Sequence, residues 1–224
     1  MTYAVFAKNH ITLAGNRYFV ANAEVLRFGA IGKKATPLFG QNKLEPKDHV
    51  SPAKLNGSIQ TVPPISIDTS TTKKDDFMAT VSASLAVIGL SVSGGQIYEQ
   101  LASNKLKLVE LFVEEEDMVR VVNDSPKILQ ELASYGADAR IVCRQLIAVE
   151  AKMAEKFTAG PSFNVSVDVA GVVSIKTTGG SSTSDSTVIR LGADTCLGYL
   201  LLNFSWNNNK TRIQNPRIDE FSFS

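Results

Sequence analysis

Two imidazoles, His10 and His49, and two thiols, Cys143 and Cys196, are the only histidines and cysteines in the chain, and none stands in a spacing that catalysis uses. Neither histidine lies in an H-E-x-x-H pattern or beside a cysteine pair, so the chain offers no metal-ligand set. Arg144 next to Cys143 would favour a thiolate, yet both cysteines sit in apolar, strand-like text and read as reduced, buried core positions. The run EEED at 114–117 puts four carboxylates on successive positions of a helix, where they point in different directions and form a solvated first turn. SVSGGQIY has two glycines but lacks the lysine and spacing of a phosphate cradle. No acid, base and nucleophile converge. The expectation is a protein that is not an enzyme and uses no metal or cofactor.

The elements around these residues carry more information. In MATVSASLAVIGLSVSGG, Val81, Ala83, Leu85 and Val87 alternate with small or polar residues. After a one-residue slip Ile88, Leu90 and Val92 do the same, which predicts a bulged strand over 80–93. QIYEQLASN predicts a short helix, and KLKLVELFV, with Leu106 and Leu108, a strand over 105–113. Ser125 as N-cap, Pro126 at the first helical position, Ile128, Leu129 and Leu132 inward and Gly136 as terminator define the clearest helix. From 140 to about 152, Ile141, Cys143, Ile147, Val149 and Met153 face away from Arg140, Arg144, Glu150 and Lys152, as in a long strand. Over 163–176, Phe163, Val165, Val167, Val169, Val173 and Ile175 oppose Asn164, Ser166, Asp168, Ser174 and Lys176, predicting one continuous strand. A Ser/Thr/Gly loop over 177–186 precedes two more strands, the second heavily apolar. Upstream, a short helix is expected near 5–11, strand-like pieces at 18–20 and 24–28, and exposed loops and edge strands over 30–64, where five prolines occur. The end, 207–224, reads as a polar, loosely attached tail.

With 224 residues, 44% hydrophobic and 20% charged, the chain can bury a core, and disorder or coiled coil is disfavoured. A net charge of +1 gives no reason to expect nucleic acid, but it hides an asymmetry: residues 1–60 carry eight Lys or Arg against three acids. MTYAVFAKNHITL reads as no signal peptide, and no window approaches the ~20 apolar residues of a membrane helix, so the expected compartment is the cytosol. Amphipathic strands admit two readings. One is a half-exposed antiparallel sheet in a soluble β-rich binding or assembly protein. The other is a pore-former. Backbone polar groups must be paired in hydrocarbon, so such strands cross a membrane only in a closed barrel, and few strands per chain then require several copies.

The segments VVNDSPKILQELASYGADARIVCRQLIAVEAKMAEKF and AGVVSIKTTGGSSTSDSTVIRLGADTCLGYLLLNFSW, with AVFAKNHI near the start, resemble the pore-forming domain of gasdermins in collinear order. The resemblance spans most of residues 4–206, and implies an α+β domain with a twisted, mainly antiparallel β-sheet flanked by helices, followed by a tail over 207–224. It implies a cell-death effector that binds acidic phospholipids, forms a homo-oligomer and inserts two β-hairpins per copy, moving from cytoplasm to plasma membrane. The implied membrane-binding residues are Lys8, Arg17, Lys33, Lys34, Phe39 and Lys43. The implied hairpins, about 80–113 and 140–191, carry Val81, Leu85, Leu90, Val92, Leu106, Leu108, Ile147, Val149, Val165, Val167 and Val169. Animal gasdermins have a large masking domain where only 18 residues follow Trp206 here, and bacterial relatives have a lipid-modified cysteine near the N-terminus, whereas the first cysteine here is Cys143. The likeness is therefore to the compact fungal regulator-of-cell-death type, with an allelic variant of the chain as an implied partner.

Overall fold

The computed structural model describes residues 2–37, 41–87, 94–154, 163–167, 173–177, 188–191 and 196–222. The helix expected near 5–11 is instead a pair of strands, β1 (Tyr3–Ala7) and β2 (His10–Leu13), followed by β3 (Asn16–Phe19). Two features override helix formation. Ala4, Phe6, Ile11 and Leu13 alternate into one core, and Ala14 and Gly15 both take positive φ (51° and 89°), the signature of a two-residue hairpin turn that sets Leu13 opposite Asn16. The strand expected at 24–28 is a single 3-10 turn, Ala23–Val25, leading into extended backbone. Next come β4 (Ala30–Ala35), β5 (Lys43–His49), α1 (Pro52–Leu55), β6 (Gln60–Thr61) and β7 (Ser66–Ile67).

The bulged strand expected at 80–93 is corrected most sharply. Its first half belongs to a helix, α2 (Lys74–Val87), and residues 88–93 lie outside those described. Asp75 and Asp76 occupy the positive end of that helix, while Phe77 is fully buried against Phe6 and Tyr98 with ring centroids 4.7 and 5.4 Å away. Ala, Leu and Met suit a helix as well as any residues do, so once Phe77 anchors the segment the short-range alternation has no partner strand to satisfy. The remaining expectations between 94 and 139 hold: α3 (Gly94–Ala102), β8 (Leu106–Phe112), α4 (Glu115–Asn123) and α5 (Pro126–Ser134). Ser125 precedes α5 as expected, but its Oγ donates to Val121 O at 2.9 Å and does not cap the helix.

After these come β9 (Ala139–Glu150), α6 (Ala151–Ala154), β10 (Phe163–Val167), β11 (Val173–Thr177), β12 (Val188–Leu191), β13 (Cys196–Trp206) and β14 (Ile213–Asp219). The continuous strand expected at 163–176 is thus two strands, paired antiparallel from Phe163↔Thr177 to Val167↔Val173. The tail expected to hang loose is ordered, because β14 pairs with β13 and Phe221 is buried. The fold is α+β. Eleven strands form a mixed, mainly antiparallel sheet in the order β5-β4-β9-β13-β3-β2-β1-β7, with β14 on β13 and with β8 joining β9 to β6. Among the described residues only β1 and β7 pair in parallel. Few helices flank it, and β10–β11–β12 make a separate three-stranded sheet, with β10 running beside α1.

β9 is apolar on both sides. Neighbouring residues of β8, Leu108 and Val109, belong to different core clusters, as do Leu146 and Ile147 of β9, so the main sheet is covered on both faces. At the edge, Gly32 is required by contact: a Cβ there would stand 2.0 Å from the Glu45 carbonyl oxygen across the β4–β5 pair. Gly32→Ala should therefore lower the urea midpoint, with a loss of at least about 1–3 kcal/mol for an overpacked site that cannot relax.

Candidate functional site

Three groups of residues bear on the expected membrane activity: the strands and helices that would convert, the cations that would meet lipid, and the polar contacts that hold both in place. The small sheet is the clearest. Direct cross-strand partners run Val165↔Ile175↔Ile189 and Val167↔Val173↔Leu191, so Phe163, Val165, Val167, Val173, Ile175, Ile189 and Leu191 share one face. Asn164, Ser166, Ser174, Lys176 and Arg190 share the other. Thr177, opposite Phe163, falls on the first face and Val188, opposite Lys176, on the second, so one face is mainly apolar and the other mainly polar, the pattern of a strand between oil and water. Val169 falls outside the described residues. β10 and β11 have five residues each, short of the ~9–11 a tilted spanning strand needs.

The first expected hairpin is arranged differently. Val81 and Leu85 are in α2, Leu90 and Val92 lie outside the described residues, and Leu106 and Leu108 are in β8, with Leu108 fully buried. β8 pairs with β9 over its whole length, from Leu106↔Glu150 to Phe112↔Arg144, which buries Ile147 and Val149 in the larger core. Among the described residues no helix is long and apolar enough to cross a membrane, and no group of His, Cys, Asp and Glu forms a metal cluster.

The expected membrane cations do not form one free patch. Lys8 is exposed in the turn between β1 and β2, and Arg17 is exposed on β3. Lys33 is half-exposed and 3.7 Å from Asp138, a pairing of little energetic weight in water. Lys43 starts β5, partly buried, and Phe39 lies outside the described residues. Lys34 is taken: its ammonium donates to Asp219 Oδ1 at 2.8 Å and lies 5.3 Å from the centre of the Phe19 ring. Arg140 Nε donates to the other oxygen, Asp219 Oδ2, at 2.5 Å, and Arg140 Nη1 donates to the Ala137 and Ala139 carbonyls. All three charged side chains are less than 15% exposed, so β14 is clamped to β4 and β9 at once. Just beyond, Phe221 N donates to Arg17 O, Glu220 accepts from Arg17 N, and the Phe221 ring stacks on His10 at 5.3 Å. Burial, and then the Arg17 charge, lower the His10 pKa, so the stacked imidazole is neutral.

A second polar cluster sits where β8 and β9 meet β3 and α4. Glu110, only 5% exposed, accepts from Tyr18 Oη at 2.5 Å and pairs with Arg144 Nη1 at 3.4 Å, while Arg144 Nη2 reaches Glu115 at 3.3 Å. Burial, followed by the Glu110 carboxylate, raises the Tyr18 phenol far above its ordinary range and keeps it a donor. Arg144 spans the Phe112 ring at 5.0 Å, and its Nε is buried with no partner among the described residues. Burial works against the Arg144 cation, yet Glu110 and Glu115 outweigh it and raise its pKa. Cys143 beside it is no nucleophile: complete burial pushes its thiol well above the usual range despite the neighbouring Arg144. Both cysteines are free and buried, as expected.

The resemblance singles out Lys34, the strand pattern marks Arg140 only as a polar position, and nothing near either in the sequence points to Asp219, which is 185 residues from Lys34 and 79 from Arg140. Comparison with protein-family models, curated proteins and solved structures returns no match. Asp219→Asn, which leaves two cations without their carboxylate, should cost about 3 kcal/mol in urea unfolding, whereas Lys33→Gln should cost less than about 1 kcal/mol.

Proposed function

We propose that this chain is a gasdermin-like pore-forming domain, most like the compact fungal type, which is held folded in the cytoplasm and permeabilises the plasma membrane after binding acidic phospholipid. The observation that carries the reading is the small sheet, whose three strands keep one mainly apolar and one mainly polar face in register. Around the connection 168–172 the apolar residues from Phe163 to Val169 and from Val173 to Ile175 stand at odd positions, whereas Ala170 and Val172 are apolar at even ones. If that connection opened, β10 and β11 would join into a strand of about 15 residues, beyond the spanning length, with the same mainly apolar face.

In this reading α2 and β8 supply the first hairpin and the region from β9 to β12 supplies the second. Both changes undo folded structure: α2 must unwind and Phe77 must leave the Phe6–Tyr98 contact, and β8 and β9 must leave β6, β4 and β13 in the main sheet. Four crossing strands cannot enclose a lumen, so pore formation entails several copies joined edge to edge. Lys8, Arg17, Lys33 and Lys43 remain the cations for the initial lipid contact, while Lys34 engages lipid only if Asp219 releases it. An allelic variant of the chain is the proposed trigger partner.

Purified protein should release dye from vesicles containing phosphatidylserine and leave phosphatidylcholine vesicles intact. Lys8→Gln combined with Lys33→Gln should weaken vesicle binding by up to about 2 kcal/mol, at most ~1 per charge near an anionic surface. Absence of release at saturating binding, or equal release from neutral vesicles, would return the chain to the class of soluble β-rich binding proteins.

A further inference from the structure

The residues assigned to lipid contact are spread over the β1–β2 turn, β3 and the β4–β5 hairpin, where Lys34 and Lys43 stand near the Ala35↔Lys43 end. At the base of that hairpin lies a small open cavity of about 170 Å³ lined by Arg27, Lys47, Asp48 and His49, with Val25 and Pro46 among its apolar walls. Three local features build it. The backbone turns at 27–30, where Ala30 N donates to Arg27 O at 3.0 Å and Gly29 takes a φ of 75°, so Arg27 stands beside the start of β4. The β4–β5 register then shifts between Ile31↔Asp48 and Gly32↔Pro46, which leaves Lys47 as the extra residue of a β-bulge. Bulges interrupt the ladder and re-aim one side chain, and here that side chain is a lysine lining the cavity. Third, the carboxylate that lines it among the described residues is already engaged: Asp48 Oδ1 accepts the His49 backbone N–H at 2.8 Å and stands 3.5 Å from the His49 imidazole Nδ1, and Oδ2 accepts from Lys127 on α5 at 3.2 Å. Burial would raise the Asp48 carboxyl, but those two donors outweigh it and hold it below its ordinary value, so its charge is matched by Lys127. Among the described residues Lys47 makes no ion pair.

We infer that this cavity binds a phosphate group. A guanidinium fork, an ammonium and an imidazole around one concavity match the two or more oxygens and the charge of a phosphomonoester better than they match a single carboxylate. The size admits one such group with its waters. Val25, 54% exposed and one of two large apolar side chains that stand out among the described residues, lies in the wall where the carbon portion of a phosphate ester would emerge. The shared chemistry has two sources, a free phosphate and a lipid headgroup. The inference does not depend on pore formation, since binding is read without any leakage.

The test uses the full chain with two probes: inorganic phosphate followed by titration calorimetry, and co-sedimentation with phosphatidylcholine vesicles containing phosphatidic acid. Arg27→Gln combined with Lys47→Gln should weaken binding about tenfold or more in at least one arm, the loss expected when charge-assisted hydrogen bonds are removed. Lys105→Gln combined with Lys210→Gln removes the same charge from exposed positions elsewhere and should change binding less than about twofold. Both pairs are on the surface, and an unchanged melting temperature verifies that the variants fold. Loss in the phosphate arm supports a soluble ligand, and loss in the vesicle arm alone supports a headgroup. Failure of both probes to bind, or equal loss with the two double variants, would overturn the inference.

Discussion

Everything in this fold is hung on β9, a strand covered on both faces and paired along its length. Its first residues pair with β4, its later ones with β8, and β13 runs along the other edge. A strand so placed cannot tolerate unpaired charge, and the two arginines it carries are both answered. Arg140 meets Asp219 of β14, and Arg144 meets Glu110 of β8 and Glu115 of α4. Removing Asp219, or Glu110 and Glu115 together, would leave a partly buried cation in a low-dielectric setting, where the loss exceeds what the intact pairing contributes. The ion pairs therefore act mainly as registers, tying β14, β8 and α4 to one strand in one arrangement.

The same architecture grades how readily each part can change, with β8 and β9 the last to leave the main sheet in the conversion proposed above. The main sheet has apolar cover above and below, while β10–β12 pair only with one another and show an amphipathic pattern of their own. α2 is a helix whose text also alternates as a strand would, anchored by Phe77 and by Thr80, whose hydroxyl lies 2.5 Å from the Ala7 carbonyl oxygen. A segment with two nearly matched local preferences, set by a few tertiary contacts, suits the conversion the proposed function needs. The phosphate cavity belongs to the fixed part, because its walls are the bulge and turn at the base of β4–β5.

How much was legible follows from these contacts. β8, β9, β13, α3, α4 and α5 carry their own signals in apolar period, an acidic first turn or a proline start, and the structure has them where the periods put them. α2 was misread because Ala, Ser and Val at alternate positions fit either state, and the deciding contact, Phe77 on Phe6, spans distant residues. Strands β1 and β2 were misread because Phe-Ala-Lys text allows a helix until the turn at Ala14 and Gly15 commits the chain to hairpins. The ordered end was invisible in composition, since only Ile213 and Phe221 of it join the core and the rest is held by charge pairs and by pairing to β13. The cavity residues Arg27, Lys47 and His49 form no motif, and only the register shift brings them to one place.

The central claim is that a register-locked core carries a separable amphipathic ribbon that meets lipid. Because Cys143 and Cys196 are buried, single cysteines placed at successive positions over 163–167 and 173–177 can be labelled selectively with an environment-sensitive fluorophore. On phosphatidylserine vesicles the emission should alternate, blue-shifted at odd positions such as Val165 and Ile175 and water-like at even ones such as Ser166 and Lys176. Water-like emission at every position, or a shift with no period of two, would contradict the account.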